Sequence, residues 1–381
     1  MIHLLVPVAL VLANSTAPAG DETRTLFKET VPALLEEHGV PGAAVALVRG
    51  GEVVWADGFG MADVSTARPV TSDTIFNIAS ISKLVTAWGV MRLVERGEFD
   101  PDEPVASHLT RWEFPKSEFD SAGITARRLM SHTAGLSMHS IPGFEVSKPL
   151  PKLEDILSGE YTGSVYAPSG SPMTQLSPPG SEWRYSGGGT VLLQLLIEEI
   201  TKETFTDYMA ANVLAPLEMA DSHFGWTGSM ATRAAVPYAD SGKPYPTYRF
   251  TGTSGAGLYT TARDLGRFVA AGFSGPTGSE PGRGVLEADT IEEMFEPVLL
   301  NDATRSRCGL GYMIRDDDTQ PFKTVRHGGS NFGWQALVIG VPERNCGLAI
   351  LTNSDNGRHL IPELVCTWMM AELDFKPADC R

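Results

Sequence analysis

A serine and a lysine three residues apart are the first candidates for chemistry in this sequence. Ser80 is the only serine in the chain that is followed by a lysine, Lys83, at the third position. At this spacing on a helix the two side chains share a face. An alcohol becomes a strong nucleophile when a nearby group takes its proton, and an amine kept neutral by burial or by a second cation can do so. The pair indicates acyl transfer at Ser80, although chance alone can produce one such pair in a chain of ordinary composition.

The residues after Ser80 predict a helix that would hold this pair. Apolar residues recur at helical spacing as far as Glu95, and Gly97 is typical of the stop after a helix. Ser80 would stand near the N-terminus of the helix, where the helix dipole favours developing negative charge.

The rest of the chain divides into two ends rich in strands and a helical middle. An opening helix that includes Leu26 to Leu35 precedes a hairpin with its turn at Gly50-Gly51. Further helices are predicted over 191–201, 262–271 and 361–373, and further strands over 309–314, 323–326, 334–341 and 347–352. This order is expected when a helical domain is inserted into an α/β sandwich.

We therefore predict an α/β plus all-α fold, in which an antiparallel sheet flanked by helices carries an inserted helical domain. Residues 20–84 and 301–381 are assigned to the sandwich, and residues 85–300 to the helical domain. A cleft between the two would draw its residues from distant parts of the sequence.

A long segment of the helical domain, residues 137–181, is rich in Pro, Ser and Gly. Loops of this length are usually functional or mobile. We interpret it as a flap that lines the substrate site with Phe144, Tyr161 and Tyr166. A plain surface loop is the alternative.

Seven short motifs stand between about Gly42 and Asn353. They are Phe76-Asn77-Ile78-Ala79-Ser80-Ile81-Ser82-Lys83, Leu129-Met130-Ser131-His132-Thr133-Ala134-Gly135-Leu136, Pro179-Gly180 leading to Trp183-Arg184-Tyr185-Ser186-Gly187, Pro216-Leu217-Glu218-Met219, Gly255-Ala256-Gly257-Leu258 with Asp264, Gly309-Leu310-Gly311-Tyr312, and His327-Gly328-Gly329. With these motifs in this order, the sequence resembles the class C-like branch of the serine β-lactamase and penicillin-binding protein superfamily.

The resemblance implies a role for each residue of the site. Ser80 attacks a carbonyl carbon and forms an acyl-enzyme, and either Lys83 or Tyr185 removes the serine proton. The amides of Ser80 and Ser330 form an oxyanion hole.

The resemblance also implies that His327, Gly328 and Gly329 lie on the strand that edges the cleft. Glycines there would let a substrate backbone approach closely. Asp264 and His132 are interpreted as structural residues rather than as catalytic ones.

Two departures from class C β-lactamases bear on the substrate. Those enzymes carry lysine where His327 stands, and a histidine is mostly neutral at pH 7.5, so carboxylate recognition should be weaker. The second motif usually ends in an asparagine that holds an acylamino group, and Gly187 has no side chain to do so. Both changes favour esterases, D-aminopeptidases and weakly active penicillin-binding proteins.

The predicted function is that of a secreted serine hydrolase that acts on short-chain esters, D-amino-acid peptides or cell-wall-like peptides and only weakly on β-lactams. The alternatives are a penicillin-binding sensor, a class C-like β-lactamase, and an acyltransferase on the same fold. A G-x-S-x-G motif is absent, which argues against an α/β-hydrolase.

Charge and composition exclude several other classes. The net charge of -16 argues against a nucleic-acid partner. No zinc-type spacing of Cys or His occurs, so we predict no metal and no cofactor. The expected partner is a small-molecule or peptide substrate, and the sequence leaves the oligomeric state open.

The first residues of the chain predict a signal peptide over residues 1–19, and hence a secreted or periplasmic protein without a membrane span. A buried N-terminal strand is the alternative, because this segment carries no Lys or Arg. Export would permit disulfides, but four cysteines allow three pairings, and free buried thiols are an equal alternative. The cysteines are Cys308, Cys346, Cys366 and Cys380.

Overall fold

The computed structural model describes residues 19–167, 170–298 and 307–378, together with Cys380. The predicted signal peptide lies outside these residues except for Ala19, the first residue of helix α1. Secretion therefore stays a prediction.

Helices and short strands alternate through the middle of the chain, and longer strands lie at both ends. The helices are α1 (Ala19–His38), α2 (Ile81–Glu95), α3 (Ala126–Met130), α4 (Leu153–Ser158), α5 (Gly187–Thr201), α6 (Phe205–Met209), α7 (Thr253–Ala256), α8 (Ala262–Ala271), α9 (Ala288–Met294) and α10 (Gly357–Leu373). The strands are β1 (Gly42–Arg49), β2 (Glu52–Asp63), β3 (Arg68–Pro69), β4 (Phe76–Asn77), β5 (Gly143–Glu145), β6 (His223–Phe224), β7 (Tyr248–Phe250), β8 (Leu258–Thr260), β9 (Arg307–Cys308), β10 (Met313–Arg315), β11 (Thr324–Asn331), β12 (Trp334–Val341) and β13 (Cys346–Thr352).

The main sheet has eight antiparallel strands in the order β3-β2-β1-β13-β12-β11-β10-β9. Its centre joins the two ends of the chain, because β1 pairs with β13 and Ala46 lies opposite Ala349. The turn between β1 and β2 uses Gly50 and Gly51, both with positive φ, as a tight hairpin turn requires. The predicted antiparallel sheet flanked by helices is confirmed.

Both faces of the sheet are covered, so β13 is buried along its whole length and β1 as far as Val48. Successive residues of β1 alternate between two hydrophobic clusters. Val45 and Leu47 pack with Trp368 of α10 and with α1, whereas Ala44 and Ala46 pack with the cluster that includes α2 and α8. The face of the sheet to which Ala44 and Ala46 point is therefore the one that carries α2, the helix that begins directly after Ser80.

Helix α8 lies inside the range predicted for the helical domain, yet it packs against β1, β2 and β13. Its stripe of apolar residues, with Leu265 and Phe268 fully buried, faces the sheet. How the chain divides into domains stays a prediction.

Two details differ from the sequence-based expectations. The strand predicted over 309–314 is interrupted by a turn, in which the Gly309 amide donates to the Tyr312 carbonyl and Gly311 adopts φ +86°. A disulfide joins Cys366 to Cys380, whereas Cys308 and Cys346 are free and buried. The four cysteines therefore combine the two alternatives left open, because one pair is bridged and the other two are buried free thiols.

Within the described ranges, no helix combines the length and the apolar character that a membrane crossing requires.

Helix α10 offers a direct test of the packing that holds the sheet and the outer helices together. Leu364 is fully buried, so Leu364→Ala should lower the free energy of unfolding by about 2–5 kcal/mol. Met370 on the same helix is 40% exposed, and Met370→Ala should change it by no more than about 0.5 kcal/mol. Urea denaturation of both variants measures the difference, and equal losses would show that α10 does not pack as described.

Candidate active site

The turn before α2 presents Ser80 to the cleft. Ala79 has φ +48°, a left-handed conformation that is uncommon for a residue with a Cβ and costs about 1–3 kcal/mol. Two buried polar side chains hold it there: Asn77 Oδ1 accepts the Ala79 amide at 3.0 Å, and Ser82 Oγ donates to the Ala79 carbonyl at 2.6 Å. Hydrogen bonds on both sides of its Cα thus stabilise the strained conformation of Ala79.

Lys83 is buried directly beside the Ser80 hydroxyl. Its Nζ lies 3.2 Å from Ser80 Oγ and 2.6 Å from the carbonyl oxygen of Gly255, and the residue is 6% exposed. Gly255 belongs to α7, which is tied to α2 because Thr86 Oγ1 donates to the Ser254 carbonyl at 2.9 Å. Two neighbouring elements therefore fix the lysine.

Tyr185 packs its ring beside the same amine. Lys83 Nζ lies 5.3 Å from the ring centroid, which is a cation–π distance. The rings of His132 and His139 flank the phenol at centroid distances of 4.3 and 5.1 Å. The next residue, Ser186, caps α5 by accepting the Gly189 amide, so Tyr185 sits at a helix start.

The open edge of β11 forms the opposite wall. Strand β10 pairs only with Thr324–Arg326, so the residues from His327 onward have one edge free of it. A Cβ at Gly329 would overlap the carbonyl oxygen of Ile78, whereas a Cβ at Gly328 would meet only the Ala336 carbonyl, at 3.9 Å. Gly329 therefore lets β11 touch the turn that carries Ser80, and Gly328 leaves the wall open.

Ser330 lies further along this edge. Its hydroxyl accepts a hydrogen bond from Gln335 Nε2 at 2.9 Å, and the residue lines the cavity together with Ser80. The assignment of the Ser80 and Ser330 amides to an oxyanion hole stays a prediction.

His327 is a buried, neutral imidazole. Its Nδ1 lies 2.7 Å from the Gly328 carbonyl oxygen, which can only accept, so Nδ1 carries the proton. Burial, with a smaller contribution from the charge on Lys83, lowers the pKa of His327 to about 4. Its Nε2 is buried and has no hydrogen-bond partner among the described residues. The site therefore carries an unpaired acceptor where a lysine would supply a cation.

These residues surround a cavity of about 920 Å³. Ser80, Lys83, Tyr185, His327 and Tyr166 all line it. Most of the remaining wall is apolar and comes from the flap, β12 and α10. Examples are Met138, Ile141, Leu337 and Ile361, and Trp183 adds to the wall from just after the flap.

The flap carries three aromatic residues that were predicted to line the substrate site. Among the described residues that line the cavity, only Tyr166 of these three occurs. Its hydroxyl accepts the Phe332 amide at 2.7 Å. Phe144 and Tyr161 instead pack with Ile156 in a separate hydrophobic cluster and are 1% and 5% exposed. The flap has its own small core, which uses two of its aromatic side chains.

Gly187 does not line the cavity either. It is buried, its amide donates to the His139 carbonyl at 3.2 Å, and a Cβ there would lie 2.8 Å from that carbonyl oxygen and 3.0 Å from Ile141 Cγ1. The space in which an asparagine side chain would begin is filled by the flap backbone. The absence of a side chain at this position therefore does not enlarge the acyl pocket.

Sequence reasoning missed the residues that hold the site together. Asn77 Nδ2 donates to the Ala256 carbonyl at 3.0 Å, and Asn331 Nδ2 donates to Asn77 Oδ1 at 2.7 Å, so one buried amide joins the turn before α2 to α7 and β11. The carbonyl of Gly255 that holds Lys83 was missed as well. Asn77 and Gly255 stand in motifs quoted above, but their contacts with backbone groups leave no signal in a sequence.

His132 and Asp264, which the sequence analysis interpreted as structural, both lie outside the described cavity wall. Asp264 accepts the Asp221 amide and pairs with Arg267, each at 2.8 Å. Burial raises the pKa of Asp264. His132 is buried behind Tyr185 and does not occur among the described lining residues.

One cluster of side chains, on α1 and α10, could offer three metal ligands, and none of its residues belongs to the motifs quoted above. Glu37, His38 and Glu363 bring their ligand atoms within 4.8 Å of one another, with Glu37 exposed. His38 Nε2 and Glu363 Oε1 already form a hydrogen bond of 2.8 Å between α1 and α10, which accounts for their proximity.

A strained turn that presents a serine to a buried lysine, at the edge of an antiparallel sheet, defines the β-lactamase and transpeptidase class of fold. A family model described as Beta-lactamase matches residues 27–362, and the chain belongs to this family.

Named relatives support the same placement. Esterase EstB of Burkholderia gladioli is 27% identical over 326 residues, which cover 81% of this chain and 78% of the esterase. Protein flp of Staphylococcus aureus (strain N315) is 22% identical over 87% of this chain, and the chain spans 63% of the length of that relative.

Solved structures share the fold. The octameric penicillin-binding protein homologue from Pyrococcus abyssi matches with a TM-score of 0.72 and 22% identity over 93% of this chain and 78% of its own. SurE with D-Leu matches with a TM-score of 0.72 and 25% identity over 95% of this chain and 78% of its own.

The contact between Gly329 and Ile78 can be tested by adding one methyl group. Gly329→Ala should push β11 away from the Ser80 turn and lower the stability by about 1–3 kcal/mol, as overpacking does. Gly328→Ala is the matched stability control, since its Cβ enters open space. Thermal unfolding of both variants decides, and equal Tm values would contradict the close approach.

The burial of His327 predicts an acid-sensitive contribution to stability. Because its pKa is about 4 in the folded protein and near 6.5 when unfolded, only the unfolded chain takes up this proton between these values. The contribution is complete above pH 6.5 and is lost as the pH falls towards 4. Between pH 7 and pH 4.5, wild type should lose about 2–3 kcal/mol more than His327→Asn.

Urea titrations at the two pH values measure this difference. The exposed His359, replaced by asparagine in the same way, serves as the control. If the difference in free energy of unfolding between wild type and His327→Asn is the same at both pH values, the pKa of His327 is not lowered by folding.

Proposed function

We propose that this protein hydrolyses esters or amides through an acyl-enzyme on Ser80. The observation that carries the proposal is the position of Lys83 Nζ, 3.2 Å from Ser80 Oγ and 2.6 Å from the Gly255 carbonyl. The Gly255 carbonyl holds Nζ within hydrogen-bond reach of the proton that Ser80 must lose when it attacks. Lys83 is therefore our candidate for the base, with Tyr185 beside it.

The reaction would proceed in two halves. Lys83 Nζ takes the Ser80 proton while Oγ attacks the carbonyl carbon, and the amides of Ser80 and Ser330 stabilise the resulting oxyanion. The tetrahedral intermediate expels the alcohol or amine, which leaves with the proton. Water then attacks the acyl carbon as Lys83 Nζ takes its proton. The bond between the acyl carbon and Ser80 Oγ breaks, Oγ takes the proton back from Lys83, and the carboxylic acid leaves.

The walls of the cavity favour neutral, partly apolar acyl donors. His327 is neutral, so position 327 supplies no cation for a substrate carboxylate. Arg184 and Arg358 also line the cavity, Arg184 in an ion pair with Glu182, and most of the other named wall residues are hydrophobic. The esterase relative supports esters as substrates. A related fold solved with D-Leu supports D-amino-acid peptides as further candidates. We expect only weak activity on β-lactams.

We further propose that the protein acts after export, in the periplasm or outside the cell. The support is the apolar segment within residues 1–19, followed by small residues. The observed Cys366–Cys380 disulfide is compatible with an oxidising compartment.

Ser80→Ala should lower kcat on p-nitrophenyl acetate and butyrate at least about a thousandfold, as loss of a nucleophile does. Lys83→Met should cause a comparable loss, because the amine that takes the proton is removed. Lys202→Met is the matched control, since this lysine has a side chain that is 72% exposed. Full activity of Ser80→Ala would disprove the mechanism.

A second assay separates the alternatives. Mass spectrometry of the peptide containing Ser80 after mixing with ester, fluorescent penicillin or nitrocefin should show a transient acyl adduct with the ester. A stable penicillin adduct without ester turnover would support a sensor. Rapid cephalosporin hydrolysis at neutral pH would support a β-lactamase, and acyl transfer to an added alcohol would support an acyltransferase.

A further inference from the structure

His132 makes three separate contacts with one short segment of chain. Its carbonyl oxygen accepts the Arg184 amide at 2.8 Å, and its Nδ1 accepts the Ser186 amide at 3.3 Å. Between these two residues stands Tyr185, and the two rings are packed with centroids 4.3 Å apart. One histidine thus holds the residue before the tyrosine, the residue after it, and the tyrosine ring itself.

The backbone of His132 is held in a strained conformation that makes these contacts. Its φ is +59°, which is uncommon for a residue with a Cβ. The flanking residues enforce it: the Thr133 amide donates to the Arg128 carbonyl at 2.8 Å, and the hydroxyls of Ser131 and Thr133 hydrogen-bond to each other at 2.9 Å. Strain retained next to a reacting group points to a function for the residue.

The hydrogen-bond pattern also fixes the chemical form of the ring. Because an amide donates to Nδ1, that nitrogen is unprotonated and the proton of the neutral imidazole is on Nε2. Burial, followed by the charges of Lys83, His327 and His139, lowers the pKa of His132 well below its usual value. A ring that stays neutral and lies behind Tyr185, outside the described cavity wall, is suited to hold the tyrosine rather than to exchange protons with substrate.

We propose that His132 is the positioning residue for Tyr185, which it holds against Lys83 by accepting the Ser186 amide and packing on the phenol ring. The proposal rests on the proposed acyl transfer at Ser80, to which Tyr185 contributes. It assigns a role to a histidine that sequence reasoning set aside as structural.

Two replacements separate the hydrogen bond from the bulk of the ring. His132→Leu fills space but cannot accept the Ser186 amide. His132→Asn restores an acceptor at the position of Nδ1, and asparagine tolerates positive φ. With p-nitrophenyl acetate, His132→Leu should lower kcat about tenfold with KM changed less than twofold, and His132→Asn should recover kcat to within about threefold of wild type.

A double-mutant cycle tests whether the effect passes through Tyr185. In a Tyr185→Phe background, His132→Leu should lower kcat less than twofold further, because the hydroxyl that it positions is already gone. The same tenfold loss in both backgrounds would overturn the proposal. His108→Leu, at a half-exposed histidine paired with Glu103, controls for general effects on folding.

A measurement that does not depend on catalysis keeps this inference separate from the proposed function. With 3-fluorotyrosine at position 185, His132→Leu should shift or broaden the fluorine resonance, and His132→Asn should largely restore it. An unchanged resonance in His132→Leu would overturn the positioning role. Activity retained by Ser80→Ala would instead disprove the acyl-enzyme, and the fluorine spectra would still decide the role of His132.

Discussion

The hydrogen bond from Lys83 Nζ to the carbonyl of Gly255 is the contact on which the site depends. A buried amine needs a hydrogen-bond partner, and this carbonyl supplies one from α7, outside the helix that carries the lysine. Thr86 and Asn77 bind the neighbouring carbonyls of Ser254 and Ala256. Three consecutive carbonyls of α7 thus face α2 and its preceding turn, which holds the Ser80–Lys83 pair in place without any charged partner.

The sequence alone predicts most of the fold, because hydrophobic periodicity is strong where elements are long. The helix over 262–271 and the strand over 334–341 match α8 and β12 in the structure. The strand predicted over 309–314 is broken by a turn with Gly311 at positive φ, where apolar residues continue through the turn and hide it. Local periodicity cannot show that α8 packs on the sheet, since that depends on contacts between distant segments.

The site is predictable in its side chains and not in its backbone. Ser80, Lys83, Tyr185 and His327 converge on one cavity, as the ordered motifs led us to expect. The flap is different, because a loop rich in Pro, Ser and Gly gives no periodic signal that says which aromatic residues face inward. Phe144 therefore belongs to the small core of the flap.

The neutral imidazoles around Lys83 influence the proton transfer proposed for it. Burial is the largest cause of the lowered pKa of both His132 and His327, and the charge of Lys83 is the second. When Lys83 is neutral, its contribution disappears but the burial remains, so both rings stay uncharged in either state of the lysine. A lysine in place of His327 would add a second cation, which would favour the neutral form of Lys83 and also attract carboxylates. Because His327 is neutral, this chain lacks that cation, and the site gives up carboxylate binding at this position.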